Sequence, residues 1–259
     1  MSGLAVVTGG SSGIGREYAR RLASQGVDLI AVGRRQERLD ELAKEFPDVT
    51  VQTVGADLAT LDGIQQVIAA VGDQPVTMLV NNAGVAHYKA FVELTHEEAA
   101  ELVGVKALAP TLLTRAIAPG MVERGAGQIV NVAGMIAFSG PASLDQVPLR
   151  RALYASGLAY AVALSQTLHA ELSPHGVNVQ VLCPGVVATE FHERQGMDLS
   201  AVARMSAADV VTASLRGIEL GEVVTAPGVE QHDLLQKVFE ADLAAFGAQS
   251  PELASRYRS

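Results

Sequence analysis

The chain has no tryptophan, a single cysteine, and aromatic residues at only 4% of its 259 positions. One cysteine, Cys183, excludes an internal disulfide and points to a reducing compartment. It closes the β-rich run "VNVQVLC" and reads as the buried end of a strand rather than as a catalytic thiol. The N-terminus lacks a basic start followed by a long apolar segment, so no signal peptide is expected. A run of about 18 apolar residues is also lacking, so no membrane span is expected and the expected location is cytoplasmic. Positive charge is scarce. Lys and Arg number 19 against 28 acidic residues, a net charge of −9. That balance argues against nucleic acid and anionic membrane surfaces as partners. No His, Cys and acidic residues fall at metal-ligand spacing, so no metal is expected.

Small aliphatic residues fill the gap. Half of the chain is apolar, mainly Ala, Val and Leu, as a buried parallel sheet under helices requires. The length suits one large α/β domain, 1–259, with a core of its own. Short runs at 4–8, 28–33, 49–56, 77–80, 127–134 and 177–183 read as strands. Between the first of them, 13–26, 36–46 and 61–72 carry apolar residues at helical spacing. Strand and helix in alternation predict a doubly wound, mainly parallel sheet. Region 186–205 breaks the rhythm and is where a substrate lid would sit. Residues 229–259 read as a helical extension with a polar end.

The run "VVTGGSSGIGRE" joins the first strand to the first helix. Glycines at 9, 13 and 15 give a tight turn and let backbone N–H groups reach a pyrophosphate at the helix N-terminus. A glycine-rich loop is a weak signal alone, but its place inside a βαβ unit supports it. After the second strand, Gly33, Arg34 and Arg35 stand where an acidic residue would accept a ribose 2′-hydroxyl and select NAD. Guanidinium groups suit a 2′-phosphate instead, so NADP(H) is the expected cofactor, with NAD(H) as the alternative. The bland reading of both arginines is a solvated helix start.

The loop has the spacing T-G-x-x-x-G-x-G. With "ADL" at 56–58, "NNAG" at 81–84 and "PGVVAT" at 184–189, in this order, the chain resembles the short-chain dehydrogenase/reductase family from about residue 3 to 228. The resemblance implies a Rossmann-type sheet of seven strands. It implies cofactor contacts from Gly9, Ser11, Ser12, Gly13, Ile14 and Gly15 and, near the adenine, from Asp57 and Leu58. Asn82, Ala83 and Gly84 would line the cofactor, with Pro184, Gly185, Val187 and Thr189 at its nicotinamide end. It also implies a homodimer or homotetramer.

The family works with an asparagine, a serine, a tyrosine and a lysine. The tyrosine protonates the carbonyl oxygen, the serine hydrogen-bonds it, and the lysine holds the ribose and lowers the tyrosine pKa. Laid on that pattern, this chain keeps Tyr154 but has Lys106 at the asparagine, Gly134 at the serine and Leu158 at the lysine. In one reading Lys106 replaces the missing lysine from across the site, and Ser139 or Ser143 in the lengthened loop reaches the oxygen. In the other the site has decayed and the chain binds cofactor without turnover, as a sensor or structural partner. A non-redox lyase or cyclase is a third, weaker option. A tyrosine with no cation near it stays protonated at neutral pH and suits reduction better than oxidation. The expected activity is therefore reduction of a small-molecule carbonyl (a ketone or quinone-like ring) or imine. His87 and Tyr88 could line the pocket or cover the sheet edge. Tyr160 should face away from Tyr154, and His192 should be solvated.

Overall fold

The central strands are apolar on both faces, as burial between two helical layers demands. They are β1 (Leu4–Thr8), β2 (Asp28–Gly33), β3 (Val51–Gly55), β4 (Val76–Asn81), β5 (Gly127–Val132), β6 (Val177–Leu182) and β7 (Val224–Thr225). The computed structural model describes residues 3–140, 150–199 and 201–258. The strands form one sheet in the order β3-β2-β1-β4-β5-β6-β7, and each neighbouring pair is parallel. This is the doubly wound sheet the sequence predicts. Only β7 was not legible from the residues, because two residues carry no period.

Helices α1 (Gly13–Ser24), α2 (Gln36–Glu45), α3 (Leu61–Val71), α4 (His96–Val103), α5 (Ala109–Arg124), α6 (Ala152–Leu172) and α7 (Ala207–Glu219) cover the sheet. Tyr18, Leu22, Leu39, Val210 and Val211 pack one face, from α1, α2 and α7. Ile64, Val67, Leu113, Ile117 and Met121 pack the other, from α3 and α5. Thr95 caps α4 reciprocally with Glu98, at 3.2 and 3.1 Å. α4 and α5 run on through a π-helical turn at Gly104–Leu108. The whole run, His96–Arg124, is long and apolar enough to cross a bilayer by composition, but half of its most apolar window is buried in the protein, as in a core helix. Cys183 follows β6 and is fully buried, which holds its thiol up near pKa 12.

Two compact units emerge, Met1–Pro227 and Gly228–Ser259. The second contains α8 (Asp233–Gly247), with i,i+4 pairs Asp233–Lys237 and Gln236–Glu240 on its surface. The sheet, the glycine-rich loop and region 186–205 all belong to the first.

Sheet order places the site. β1 pairs β2 on one side and β4 on the other, so the connections diverge there and leave a crevice at the strands' carboxyl ends. A buried amide network ties the helices of that crevice to the sheet. Asn81 donates to Thr114 on α5 at 3.2 Å and to Asn131 on β5 at 2.9 Å. Asn131 donates to Ser165 on α6 at 2.9 Å. Substituting Asn131→Leu removes both of its bonds and strands part of the Asn81 amide. Urea unfolding should show a loss of about 1–3 kcal/mol, and an unchanged midpoint would mean the network is not structural.

Candidate functional site

A cleft of about 970 Å³ opens at the carboxyl ends of β1, β2, β4, β5 and β6. Of the residues the sequence assigns to a cofactor, all but Gly15 line it. Gly9 and Gly13 have φ of 69° and 54°, the left-handed region that favours glycine. A Cβ on Gly9 would lie 2.5 Å from Asn82 Nδ2, and one on Gly13 would lie 3.1 Å from Thr189. Gly15 acts behind the wall: its Cβ would meet the Gly9 carbonyl oxygen at 2.4 Å, so its absence lets α1 pack onto the loop. Thr8 Oγ1 accepts from the backbone N–H of Asn82 and Ala83 at 2.9 and 3.0 Å, which fixes the "NNAG" turn against β1.

The two arginines after β2 part company. Arg34 pairs with Glu101 at 3.1 Å, and Glu101 also holds His87 at 2.8 Å. Arg35 donates to Ser11 and Ser12 at 3.1 and 2.7 Å and pairs with Glu190 at 2.5 Å. Arg38 pairs with the other Glu190 oxygen at 2.7 Å. Burial would raise the Glu190 carboxyl, but hydrogen bonds from Arg38 and Arg35 bring it down to about 2. Neither Arg38 nor Glu190 was singled out from sequence. Arg38 lies one helical turn past Arg34, a legible spacing; Glu190 needs the fold of the 186–199 segment.

Deeper in, Lys106 sits in the π-helical turn, a local distortion common at functional sites. Its stem crosses Gly157 on α6, where a Cβ would come within 3.0 Å of Lys106 Cβ. Its amine ends beside Gly84, where a Cβ would lie 2.5 Å from Nζ, and 5.9 Å from the Tyr154 ring centroid. Lys106 and Tyr154 are each only 8% exposed, and Leu158 is 1% exposed. Burial brings the Lys106 amine down to about 8. Burial, with the charge and hydrogen bond of Tyr88, pushes the Tyr154 phenol well above its usual value. A Cβ on Gly134 would meet Leu158 Cδ1 and the Pro184 carbonyl at 3.5 Å, ordinary contact distances. A second cavity, of about 20 Å³ and room for roughly one water, is bordered by Asn81, Lys106 and Asn131. Among the described residues, the Asn81 Oδ1 atom has no hydrogen-bond partner.

An aromatic wall covers this end. Tyr88 meets Tyr154 edge-on at 5.5 Å, and Phe191 lies 6.3 Å from Tyr154 and 5.3 Å from His192. His87, Tyr88 and His192 all line the cleft. The expectation of a solvated His192 is therefore corrected: it stacks on Tyr88 at 6.4 Å, and burial lowers its pKa. Tyr160 bonds Thr111 at 2.6 Å, away from the cleft, as its helical angle predicts. Ser139 lines the cleft and accepts from Arg151 at 3.1 Å. Ser143 lies outside the described residues.

This geometry agrees with what the chain is similar to. The profile described as short chain dehydrogenase matches residues 3–199. The chain belongs to the short-chain dehydrogenase family. A cattle (Bos taurus) very-long-chain 3-oxoacyl-CoA reductase is 34% identical over 194 residues, 72% of this chain, and the match spans only 60% of that enzyme's length. A cattle L-xylulose reductase is 36% identical over 195 residues, 75% of each chain. Among solved structures, a short-chain dehydrogenase from Sphingobium yanoikuyae in complex with NADPH superposes with a TM-score of 0.92, at 33% identity over 98% of this chain and all of that one. The family match also covers the glycine-rich loop and the "NNAG" and "PGVVAT" segments that line the cleft.

The desolvated amine has a measurable signature. Below about pH 8 the folded and unfolded chains both protonate Lys106, and the folded one does so at a cost. Between about 8 and the ordinary 10.5 the unfolded chain binds more protons, so stability should rise with pH across that window. The buried thiol and phenols lower the stability of both proteins as pH rises, so the signature in denaturant unfolding is the difference: wild type minus Lys106→Met should rise across this window. Parallel pH profiles would place the amine in water.

Proposed function

We propose that the chain is an NADP(H)-dependent reductase of small-molecule carbonyls or imines whose active-site cation comes from Lys106 rather than from the position of Leu158. The carrying observation is the amine of Lys106 at Gly84, 5.9 Å from the Tyr154 ring. The glycine cradle, the large cleft and the Arg35–Arg38 pair fit a 2′-phosphorylated dinucleotide, which when bound would supply hydride for the carbonyl carbon. Tyr154 Oη gives its proton to the carbonyl oxygen. The Lys106 ammonium stabilises the phenolate left behind, and Tyr88, edge-on to the ring at 5.5 Å, orients the phenol. Phe191, Met197, Leu199 and Val202 border the cleft, which suits an apolar or aromatic body on the substrate, a ketone or quinone-like ring. We extend the reading to a homodimer or homotetramer in a reducing, cytoplasmic setting, which the lone, reduced Cys183 supports.

Gly134 favours a second reading, a cofactor-binding protein without turnover, because no side chain there can donate to the carbonyl oxygen. One set of assays separates the two. NADPH binding is followed by fluorescence, and consumption is then measured against ketones, quinones and imines. Lys106→Met should cost at least tenfold in kcat, and Tyr154→Phe should cost more. The wild-type rate of reduction should fall as pH rises past about 8, where Lys106 loses its proton, and the fall should be absent in Lys106→Met. Tight NADPH binding with no turnover on any substrate, and no effect of either substitution on binding, would select the silent reading.

The backbone at residue 134 is extended, at φ 169°, and the space for a Cβ is ordinary. Gly134→Ser should therefore fold normally and place a donor beside the carbonyl oxygen. We expect kcat to rise about tenfold, a fraction of the roughly 10²–10³ that removing an oxyanion donor costs. A fall in kcat with unchanged stability would show that the oxygen sits elsewhere.

A further inference from the structure

The geometry points to Glu190 as the residue that sets the choice between NADP(H) and NAD(H), by competing with the 2′-phosphate for Arg35 and Arg38. This rests on the reading of the cleft as a dinucleotide site.

Glu190 follows Thr189, on the segment that crosses the cleft opposite β2. Its carboxylate bridges two guanidinium groups, Arg35 at 2.5 Å and Arg38 at 2.7 Å, one on each oxygen. Arg194 approaches one of the same oxygens at 3.5 Å. Ser12 accepts from the same Arg35 guanidinium at 2.7 Å. An anion held between two arginines has the charge and the donor set that a phosphate monoester on the ribose would use. Arg34 turns instead to Glu101, at 3.1 Å. A 2′-phosphate and the Glu190 carboxylate therefore seek the same donors, and two anions there would repel.

The consequence differs between the two cofactors. NADP(H) must displace Glu190 from the arginines and loses part of its binding energy in doing so. NAD(H) carries only a 2′-hydroxyl and leaves the carboxylate in place. Glu190 thus supplies from region 186–205 the carboxylate that the run after β2 lacks, and it narrows the preference for NADP(H) that the arginines would otherwise impose.

The test is binding rather than turnover. Dissociation constants of NADPH, NADH, 2′,5′-ADP and 5′-AMP are measured by fluorescence or calorimetry for wild type and Glu190→Gln, with thermal melting to confirm folding. Glu190→Gln keeps the side-chain shape and removes the charge. NADPH and 2′,5′-ADP should bind about tenfold tighter, while NADH and 5′-AMP change less than twofold. Equal tightening of all four would mean a general field effect and would overturn the inference. So would an unchanged ratio, or weaker NADPH binding, which would make Glu190 a support of the arginines rather than their competitor. If Glu190→Gln fails to fold, Arg38→Gln gives the same decision. It should weaken 2′,5′-ADP by less than removal of a free phosphate ligand would, at most about threefold, because it weakens the competitor as well. A loss of tenfold or more would overturn the inference. Wild type that binds neither NADPH nor NADH would overturn the dinucleotide reading, and this inference with it. A wild type that binds NADPH, with the ratio unmoved in the variant, overturns the inference alone.

Discussion

A single ammonium group, Lys106 Nζ, sets the spacing of everything around it. Taking an ammonium out of water is expensive unless something offsets it. Here the side chain leaves the helix at a π-helical turn, crosses α6 where residue 157 has no side chain, and ends where residue 84 has none. Two glycines on two different elements make the passage: a Cβ at 84 would overlap the amine, and one at 157 would press on the stem. The face of Tyr154 is the amine's aromatic neighbour. Leu158, on the same helix face as Tyr154, is packed almost completely out of solvent. A second cation at 158 would put two like charges in one dry pocket, so the leucine and the lysine are complementary choices.

The other end of the cleft reverses the charge problem. The chain is acidic overall, at −9, yet Arg35, Arg38 and Arg194 converge on one carboxylate there. A local positive cluster in an acidic protein focuses an anionic ligand on one spot while the rest of the surface repels it. The same cluster fixes region 186–199 to the body through Glu190. The donors that suit a phosphate therefore also hold the segment whose Phe191 and His192 cover Tyr154.

The sheet and the glycine-rich loop were legible because each is written in contiguous residues. Apolar runs of five or six, such as "LAVVT" and "DLIAVG", can be little else than buried strands, and glycines at 9 and 13 fall where the backbone needs positive φ. Lys106 was legible as an oddity, because it and Leu158 break a known pattern together. The rest was not, for a physical reason: it depends on which segments cross the cleft. Nothing in "ATEFHERQ" says that Glu190 reaches Arg35, about 155 positions away in the chain, or that His192 stacks on Tyr88. Gly15 was misplaced in a smaller way. Its spacing marks it correctly as obligatory, but its work is to let α1 approach the loop, not to touch what the loop holds.

The state of protonation gives the site a direction. Burial raises the Tyr154 phenol and lowers the Lys106 amine, so the two values are drawn apart from what bulk water would give. At neutral pH both groups hold their protons: the phenol firmly, the amine by about one pH unit. That is the starting state for reduction, in which the carbonyl oxygen takes a proton. Oxidation of an alcohol must start from the phenolate, whose population in this pocket is small at pH 7. The equilibrium between alcohol and carbonyl is untouched by any of this, since a catalyst speeds both directions alike. What changes is the fraction of enzyme ready for each direction. On the proposed reading, the ammonium 5.9 Å from the ring would stabilise the phenolate as the proton leaves. Moving that charge from the position of Leu158 to Lys106 would, on the same proposed reading, preserve the electrostatic task while moving its source to another helix.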